Sequence, residues 1–200
     1  MLRGVDAAQA AAARGLALFE LPPGGRRPGP GWHHQVSTDP DWIRTVLAAG
    51  GNLGVGCRAS NVIGLDLDRH RSPDATEEAD GAAVFAAACT AHAQAWPHTF
   101  TVATPHGGLH LYFRAGGRPI ASTSGGRSGL GPGIDTRGPG RRLGGYLMAP
   151  GSLVAAGAYT VELDAPVMDL PPWLAAVLER SAARAGRDCD PRSRASISTS

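Results

Sequence analysis

The order of helical and strand patterns along the 200-residue chain predicts an α+β fold, with a mostly antiparallel sheet and flanking helices. Helical patterns occupy the beginning, the middle and the end of the sequence, and short strand patterns fill the stretches between them. HTFTVAT (98–104) and GLHLYFR (108–114) alternate in polarity and are joined by Pro105-His106-Gly107, which predicts a hairpin. No GxGxxG follows the first strand and opens a helix, which argues against a dinucleotide-binding α/β fold.

The first third of the chain contains two helical patterns and two strand patterns. A loop rich in proline and glycine separates the helices, because neither a helix nor a strand accommodates that composition. The second helix follows Asp39, which offers a capping side chain, with Pro40 suited to the first turn. We therefore predict, in order, a helix at 5–18, a loop at 21–31, a helix at 41–51 and strands at 52–57 and 62–68.

The sequence patterns in the rest of the chain predict one long helix, the hairpin, further short strands and a closing helix. The closing helix begins after Pro171-Pro172, because proline is tolerated in a first turn but not in a helix interior. We predict one domain at 1–180, and the small polar residues of 181–200 predict a disordered tail. The remaining predictions are an alanine-rich helix at 75–95, a mobile glycine-rich segment at 115–131 and strands at 133–138, 144–150 and 155–162.

Composition narrows the class of protein without identifying it. The formal net charge of +2 neither indicates nor excludes a nucleic-acid partner. Three widely spaced cysteines, Cys57, Cys89 and Cys189, form neither a disulfide framework nor a CxxC metal site, which favours a reducing, cytoplasmic location. No apolar run approaches the roughly 18 residues that a membrane span needs, so we expect no membrane association.

The stretch GLDLDRH (64–70) places two carboxylates on one face of a strand. Residues i and i+2 of a strand point to the same side, so Asp66 and Asp68 lie together while Leu65 and Leu67 face the core. Two neighbouring carboxylates repel each other, and a divalent cation such as Mg²⁺ or Mn²⁺ compensates that repulsion. A solvated strand end, with the aspartates paired to arginines, explains the pattern equally well.

Two later stretches add polar groups with the same alternation. In TPHGGLHLYFR (104–114), His110 follows Gly107 and Gly108, whose backbone permits close approach to a ligand, and Thr104 offers a hydroxyl to a phosphate oxygen. In GIDTRG (133–138), Asp135 and Arg137 share a face. They form either a simple salt bridge or a third metal ligand beside a phosphate-binding arginine.

Taken in order, these elements resemble the catalytic signature of the archaeo-eukaryotic primase superfamily, in its primase–polymerase (Prim-Pol) branch, the bifunctional DNA primase/polymerase N-terminal domain. The signature pieces are Leu65-Asp66-Leu67-Asp68, Gly108-Leu109-His110 and Ile134-Asp135. The resemblance extends over about 1–180. It includes Trp32 after the proline-rich loop, Asn52-Leu53-Gly54-Val55, Gly145-Tyr146, Pro150-Gly151-Ser152 and the stretch Leu170 to Leu174.

The resemblance implies a primase-like core and template-directed transfer of nucleotides onto a 3′-hydroxyl. The implied cofactors are two Mg²⁺ or Mn²⁺ ions, and the implied partners are single-stranded or primed DNA and a dNTP or NTP. The implied site residues are Asp66, Asp68 and Asp135 as metal ligands, and Thr104, Gly107, Gly108, His110 and Arg137 at the nucleotide. Many relatives continue into a helicase region, and this chain stops at 200, so we expect any helicase to be supplied in trans.

Alternatives from other classes remain. A catalytically inactive, nucleic-acid-binding replication initiator of the same fold fits the sequence, as does a nuclease or phosphohydrolase that directs the same carboxylates at water. The resemblance places the protein in replication of a plasmid, a phage or an integrated element. Four arginines in glycine-rich loops are candidates for backbone contacts with DNA, although solvated surface charge is the favoured explanation for any one of them: Arg118, Arg127, Arg141 and Arg142.

Overall fold

The computed structural model describes residues 1–70, 79–140 and 143–188. The helices of these residues are α1 (Gly4–Ala13), α2 (Pro40–Ala48), α3 (Gly81–Ala91) and α4 (Pro172–Asp188), with a short 3-10 helix at Trp32–His34. The strands are β1 (Leu18–Leu21), β2 (Val36–Ser37), β3 (Asn52–Gly56), β4 (Val62–Leu67), β5 (Arg69–His70), β6 (Ala79–Asp80), β7 (Thr101–Ala103), β8 (Leu109–Arg114), β9 (Ile134–Arg137), β10 (Tyr146–Met148), β11 (Leu153–Val154), β12 (Gly157–Ala158), β13 (Thr160–Leu163) and β14 (Met168–Asp169). The fold is α+β, as the order of patterns predicts.

The large sheet has the strand order β13-β7-β8-β4-β9, and β14 pairs with β8. The pairing of β14 with β8 is parallel and the other pairings within the sheet are antiparallel. The predicted hairpin is present as β7 and β8, with Gly107 at φ +79° in its turn, a conformation that glycine adopts without strain. The two strands that carry Asp66 and Asp135, β4 and β9, are paired neighbours in this sheet.

The small sheet, in the order β10-β3-β1-β2, contains a strand that the sequence pattern missed. The helix predicted over 5–18 ends at Ala13, and Gly15, at φ +83°, turns the chain into β1. The alanine-rich helical pattern concealed this change, because Leu16, Leu18 and Phe19 also fit an apolar helix face. In the structure all three are fully buried between elements of the small sheet and α1.

Two apolar clusters lie on opposite sides of the large sheet. One is formed with the small sheet and α1, and it includes Val62 and Tyr112. The other is formed with α3 and α4, and it includes Leu65, Leu67 and Leu111. Alternation along β4 therefore sends odd-numbered residues toward the helices and even-numbered residues toward the small sheet, which is the face that carries Asp66.

The boundaries of α3 and α4 differ from the predicted ones. Asp80 caps α3 by accepting hydrogen bonds from the backbone N–H groups of Ala82 and Ala83, and the predicted start of that helix at 75 lies outside the described residues. α4 ends at Asp188, so 181–188 are helical rather than disordered, because alanines and arginines there favour helix continuation. The remainder of the predicted tail, 189–200, lies outside the described residues. No helix in the described ranges is long and apolar enough to cross a membrane.

Candidate active site

Three polar side chains from distant parts of the sequence meet at the centre of the large sheet. Asp66 on β4 lies opposite His110 on β8 and, on its other side, opposite Asp135 on β9. Directly opposed residues of neighbouring antiparallel strands point to the same face, with Cβ atoms about 5 Å apart. His110 Nε2 lies 3.4 Å from Asp66 Oδ1, so the imidazole and the carboxylate are in direct ionic contact when His110 is protonated.

The carboxylate of Asp135 is held by the glycine-rich segment that the sequence pattern predicts to be mobile, a contact that the pattern did not indicate. Its Oδ1 accepts a hydrogen bond from the Gly126 backbone N–H at 2.9 Å, and its Oδ2 accepts one from Gly125 at 3.2 Å. Both glycines have positive φ, +70° and +71°, a conformation that L side chains rarely adopt. The Gly-Gly pair after a Ser/Thr run was the available signal, but nothing in the sequence tied it to Asp135.

Arg137 places its guanidinium between two of these carboxylates. Its Nη2 lies 3.7 Å from Asp66 Oδ2 and 3.6 Å from Asp135 Oδ2. Its Nη1 donates to the backbone carbonyl of Thr123, and also to that of Thr136 at 3.3 Å. The guanidinium therefore supplies positive charge where two carboxylates approach each other, a task that the sequence interpretation gave to a metal ion.

Asp68 follows the last residue of β4 and is fixed through its backbone. Its N–H donates to the carbonyl of Gly133 at 2.8 Å, and its carbonyl accepts from the N–H of Gly81 at 2.9 Å. A Cβ atom on Gly81 would lie 2.3 Å from the Gly133 oxygen, so this junction of β4, α3 and the start of β9 requires glycine. The Asp68 side chain lines the same cleft as Asp66.

The cleft lies between the two sheets and has a volume of about 1110 Å³. Asp66 and His110 line it from the large sheet, and Tyr146 lines it from the small sheet. This volume is slightly above the roughly 300–1,000 Å³ typical of small-molecule sites, so the cleft has room for a nucleotide. Further lining residues that the sequence interpretation did not assign are Arg26, Arg69, His106, Ser122 and Tyr159.

The turn at Thr104, Gly107 and Gly108 is held mainly by its own hydrogen bonds. The Thr104 hydroxyl accepts a hydrogen bond from the Gly108 N–H at 3.0 Å, and the Thr104 N–H donates to the Gly108 carbonyl at 2.9 Å. A Cβ atom on Gly108 would lie 2.5 Å from the backbone oxygen of Leu67. The observed reason for glycine at 108 is therefore close packing of the turn against β4, while Thr104 still borders the cleft.

His110 and Tyr112 carry buried polar atoms on the cleft side of β8. Within the described residues, His110 Nδ1 and the Tyr112 hydroxyl have no hydrogen-bond partner. Burial raises the pKa of Tyr112 well above its ordinary value, so the phenol stays protonated. Buried polar atoms are normally hydrogen-bonded, and the exceptions are frequently found at functional sites.

The loop arginines proposed for DNA contacts have local partners where they are described. Arg118 forms an exposed ion pair with Glu179 on α4, with 3.5 Å between Nε and Oε1. Arg127 Nε donates to the Ser124 carbonyl at 3.0 Å, beside the glycines that hold Asp135. Arg141 and Arg142 lie outside the described residues. The structure brings neither Arg118 nor Arg127 into the lining of the cleft.

The cleft contains carboxylates, which are the type of ligand that hard divalent cations prefer. Asp66 and Asp68 both line this cleft, and Mg²⁺ is usually bound by one or two carboxylates together with substrate phosphates. Asp135 is engaged by two backbone N–H groups and Arg137, so a cation would compete with Arg137 there. In the described ranges, no group of three or more His, Cys, Asp or Glu side chains is arranged to hold a metal ion.

Comparison with known proteins agrees with the signature and extends over most of the chain. The family model Prim-Pol, described as "Bifunctional DNA primase/polymerase, N-terminal", matches residues 8–173. This range contains both carboxylate strands, the hairpin with His110 and the start of α4. No curated protein matches the chain significantly.

Proposed function

This chain belongs to the Prim-Pol family, and on that premise we propose that it is a template-directed nucleotidyltransferase, a DNA primase, a DNA polymerase or both. The observation that carries the proposal is the register of the large sheet, which sets Asp66 between His110 and Asp135 at the wall of the cleft. Enzymes of this family generally depend on divalent metals. A nucleotide and a primer end fit the size of the cleft.

Asp66, Asp68 and Asp135 are the residues that would hold two Mg²⁺ or Mn²⁺ ions. Ions bound there would lower the pKa of the attacking 3′-hydroxyl and stabilise charge on the leaving pyrophosphate. The carboxylates act as ligands, and no covalent intermediate with the protein is needed. The backbone hydrogen bonds at Asp68 and the loop N–H groups at Asp135 hold two of the ligands in position before substrate binds.

His110 and the turn beside it are proposed to bind the incoming dNTP or NTP. The imidazole is buried, so a phosphate oxygen that meets it would be removed from water and the interaction strengthened accordingly. Thr104 lines the cleft, and Gly107 and Gly108 are proposed to act through the turn whose hydrogen bond from the Gly108 N–H holds the Thr104 hydroxyl. Arg137 is proposed to contact the phosphates as well, since its guanidinium lies beside Asp66 at the cleft.

The remaining parts of the proposal concern partners and context. Single-stranded or primed DNA is the proposed template, with Arg118, Arg127, Arg141 and Arg142 as weak backbone contacts. We place the activity in replication of a plasmid, phage or integrated element in the cytoplasm, with a helicase supplied in trans.

Nucleotide incorporation tests the proposal directly. Labelled dNTPs and NTPs would be supplied with primed and unprimed single-stranded templates, in Mg²⁺ or Mn²⁺. The expected result is metal-dependent product from the wild type and none from Asp66→Ala/Asp68→Ala. A matched control removes two exposed carboxylates, Asp41→Ala/Asp169→Ala, whose side chains are 83% and 92% exposed. Release of pyrophosphate rather than hydrolysis of nucleotide or template separates polymerisation from a phosphohydrolase.

The pairing of Arg137 with Asp66 and Asp135 favours one second candidate, a catalytically inactive initiator that binds DNA. In that case the guanidinium takes the metal's place permanently. No product under any condition, together with equal DNA binding by the wild type and the Asp66→Ala/Asp68→Ala variant, would select this candidate.

A further inference from the structure

A second cavity shares part of its wall with the cleft. Its volume is about 570 Å³, within the range of small-molecule sites. Trp32 and Leu143 line both cavities, so the two spaces are neighbours separated by these side chains. The second cavity also contacts His33, His34, Gly56 and Arg58, none of which the proposed catalytic function uses.

The aromatic wall of this cavity is held in place by packing. The Trp32 ring lies 4.3 Å, between centroids, from Phe19 and 5.3 Å from Tyr146. The Tyr146 hydroxyl in turn donates to the backbone carbonyl of Arg26 at 3.1 Å. His33 and His34 add two more rings to this wall. The His33 ring lies edge-on to Trp32, with 5.9 Å between centroids, and 4.0 Å from the His34 ring. The orientation of Trp32 is therefore set before a ligand binds, which lowers the entropic cost of stacking on it.

The charge of the cavity differs from that of the cleft. The cleft combines Asp66 and Asp68 with basic groups, whereas the described lining of the second cavity contains no Asp or Glu. Arg58 is exposed there, and two histidines add positive charge when protonated. A ligand that matches both features is a planar aromatic ring that carries negative charge.

We propose that this cavity is a second nucleotide site, which stacks a nucleobase on the Trp32–His34 surface and holds its phosphate at Arg58. The proposal rests on the proposed function, because a nucleotidyltransferase binds nucleobases and phosphates. The same chemistry comes from two sources, a base of the single-stranded template or a free nucleoside triphosphate. Stacking of a base on an aromatic side chain raises affinity roughly tenfold to a hundredfold and tolerates any base.

Gly56 allows the cavity to be narrowed without disturbing the sheet. A Cβ atom there would lie 3.5 Å from Trp32 Cζ3 and 3.7 Å from Val36 Cγ1, which are ordinary van der Waals distances. Gly56→Ala therefore adds one methyl group at the cavity wall, and it complements two truncations of the wall, His34→Ala and Arg58→Gln. The matched control is Arg44→Gln on α2, which removes the same charge from a residue that lines neither cavity.

The experiment measures binding of a fluorescein-labelled oligothymidylate, and separately of ATP, by the full chain in EDTA. EDTA removes divalent ions, so the result does not depend on whether the protein incorporates nucleotides. His34→Ala is expected to weaken binding on the order of tenfold. Arg58→Gln should weaken it too, and should reduce the salt dependence by about one phosphate contact. Circular dichroism establishes that each variant is folded.

Weakened binding of oligothymidylate alone would support the proposal with the template strand as the source. Weakened binding of ATP alone would support it with a free nucleotide as the source. The proposal would be overturned if all three variants bind both probes as tightly as Arg44→Gln. It would also be overturned if only Arg58→Gln binds more weakly, because surface charge without stacking explains that result.

Discussion

On one face of the large sheet, Leu65, Leu67 and Ile134 are fully buried against α3 and α4. On the opposite face, the neighbouring positions of the same two strands are Asp66 and Asp135. Their side chains are 16% and 9% exposed, with Arg137 between the carboxylates. Residues adjacent in sequence thus have opposite environments, because successive side chains of a strand point to opposite sides.

This difference separates the face that stabilises the protein from the face to which we assign its proposed chemistry. The helix-covered face contributes burial of apolar surface, which amounts to about 1.5–3 kcal/mol for a large side chain. The cleft face keeps charged groups close together and largely removed from water, an arrangement that contributes little net stability. Truncation of an apolar side chain on the helix-covered face should therefore lower mainly stability, whereas the isosteric replacement of Asp66 on the cleft face should lower mainly activity.

Leu65→Ala is expected to have the largest effect on stability. Removal of a fully buried leucine from a packed cluster typically lowers the free energy of unfolding by about 2–5 kcal/mol. Nucleotide incorporation per folded molecule should stay close to that of the wild type. Urea unfolding measures the stability and the folded fraction, and the activity assay is corrected for that fraction. Its neighbour Asp66→Asn is the matched variant and should show the reverse, with activity lost and stability nearly retained. Equal loss of both properties in both variants would contradict the separation of the two faces.

The alternation that underlies this comparison was predictable from sequence. A period of two in GLDLD puts both aspartates opposite the leucines, and the structure places Leu65 and Leu67 in the apolar cluster while Asp66 and Asp68 line the cleft. The family was also predictable, because the ordered set of short motifs is specific although each piece is common. The family comparison confirms it over residues 8–173.

The register between strands was not predictable from the chain's local patterns. Asp66, His110 and Asp135 are separated by long connections, and no local rule sets which residues of β4, β8 and β9 become opposed. The same limit applies to Gly125 and Gly126, whose N–H groups reach Asp135 from a loop. β1 was missed because its leucines fit a helical pattern as well as a strand.

Arg137→Gln is expected to have an intermediate effect that depends on metal. Without the guanidinium, Asp66 and Asp135 face each other with less compensation, so in EDTA we expect a loss of roughly 1–3 kcal/mol in unfolding free energy. Mn²⁺ should restore part of that loss by supplying positive charge at the same oxygens. Unfolding curves with and without Mn²⁺ measure both effects.

The control for Arg137 is the ion pair of Arg14 and Asp164, with side chains 33% and 42% exposed. Arg14→Gln should cost at most about 1 kcal/mol, and Mn²⁺ should not change that value. An Arg137→Gln variant that matches this surface control in both respects would show that the guanidinium does not compensate the carboxylates.

The smallest predicted effect is on the pH dependence of stability. It is tested by comparing Cys57 and Cys89, which lie on opposite sides of the large sheet. Burial raises the pKa of the Cys57 thiol from 9.0 to about 12 on the side of the small sheet. The folded protein therefore holds this proton more tightly than the unfolded chain. Its contribution to stability is complete below pH 9 and is lost as the pH rises toward 12. At pH 10 the loss is about 1 kcal/mol relative to neutral pH.

All variants, including the parent, carry Cys189→Ser. Between pH 8 and pH 10.5, the unfolding free energy of Cys57→Ala should fall less steeply than that of the parent. Cys89→Ala is the control from the helix-covered face, where burial also raises the thiol pKa but without a large shift. Urea unfolding across this pH range measures the slopes. If the Cys57 and Cys89 variants have the same slope, the fully buried thiol beside the cleft face is not the group responsible for alkaline destabilisation. Ionisation of the buried Tyr112, whose pKa burial also raises, then becomes the explanation to test.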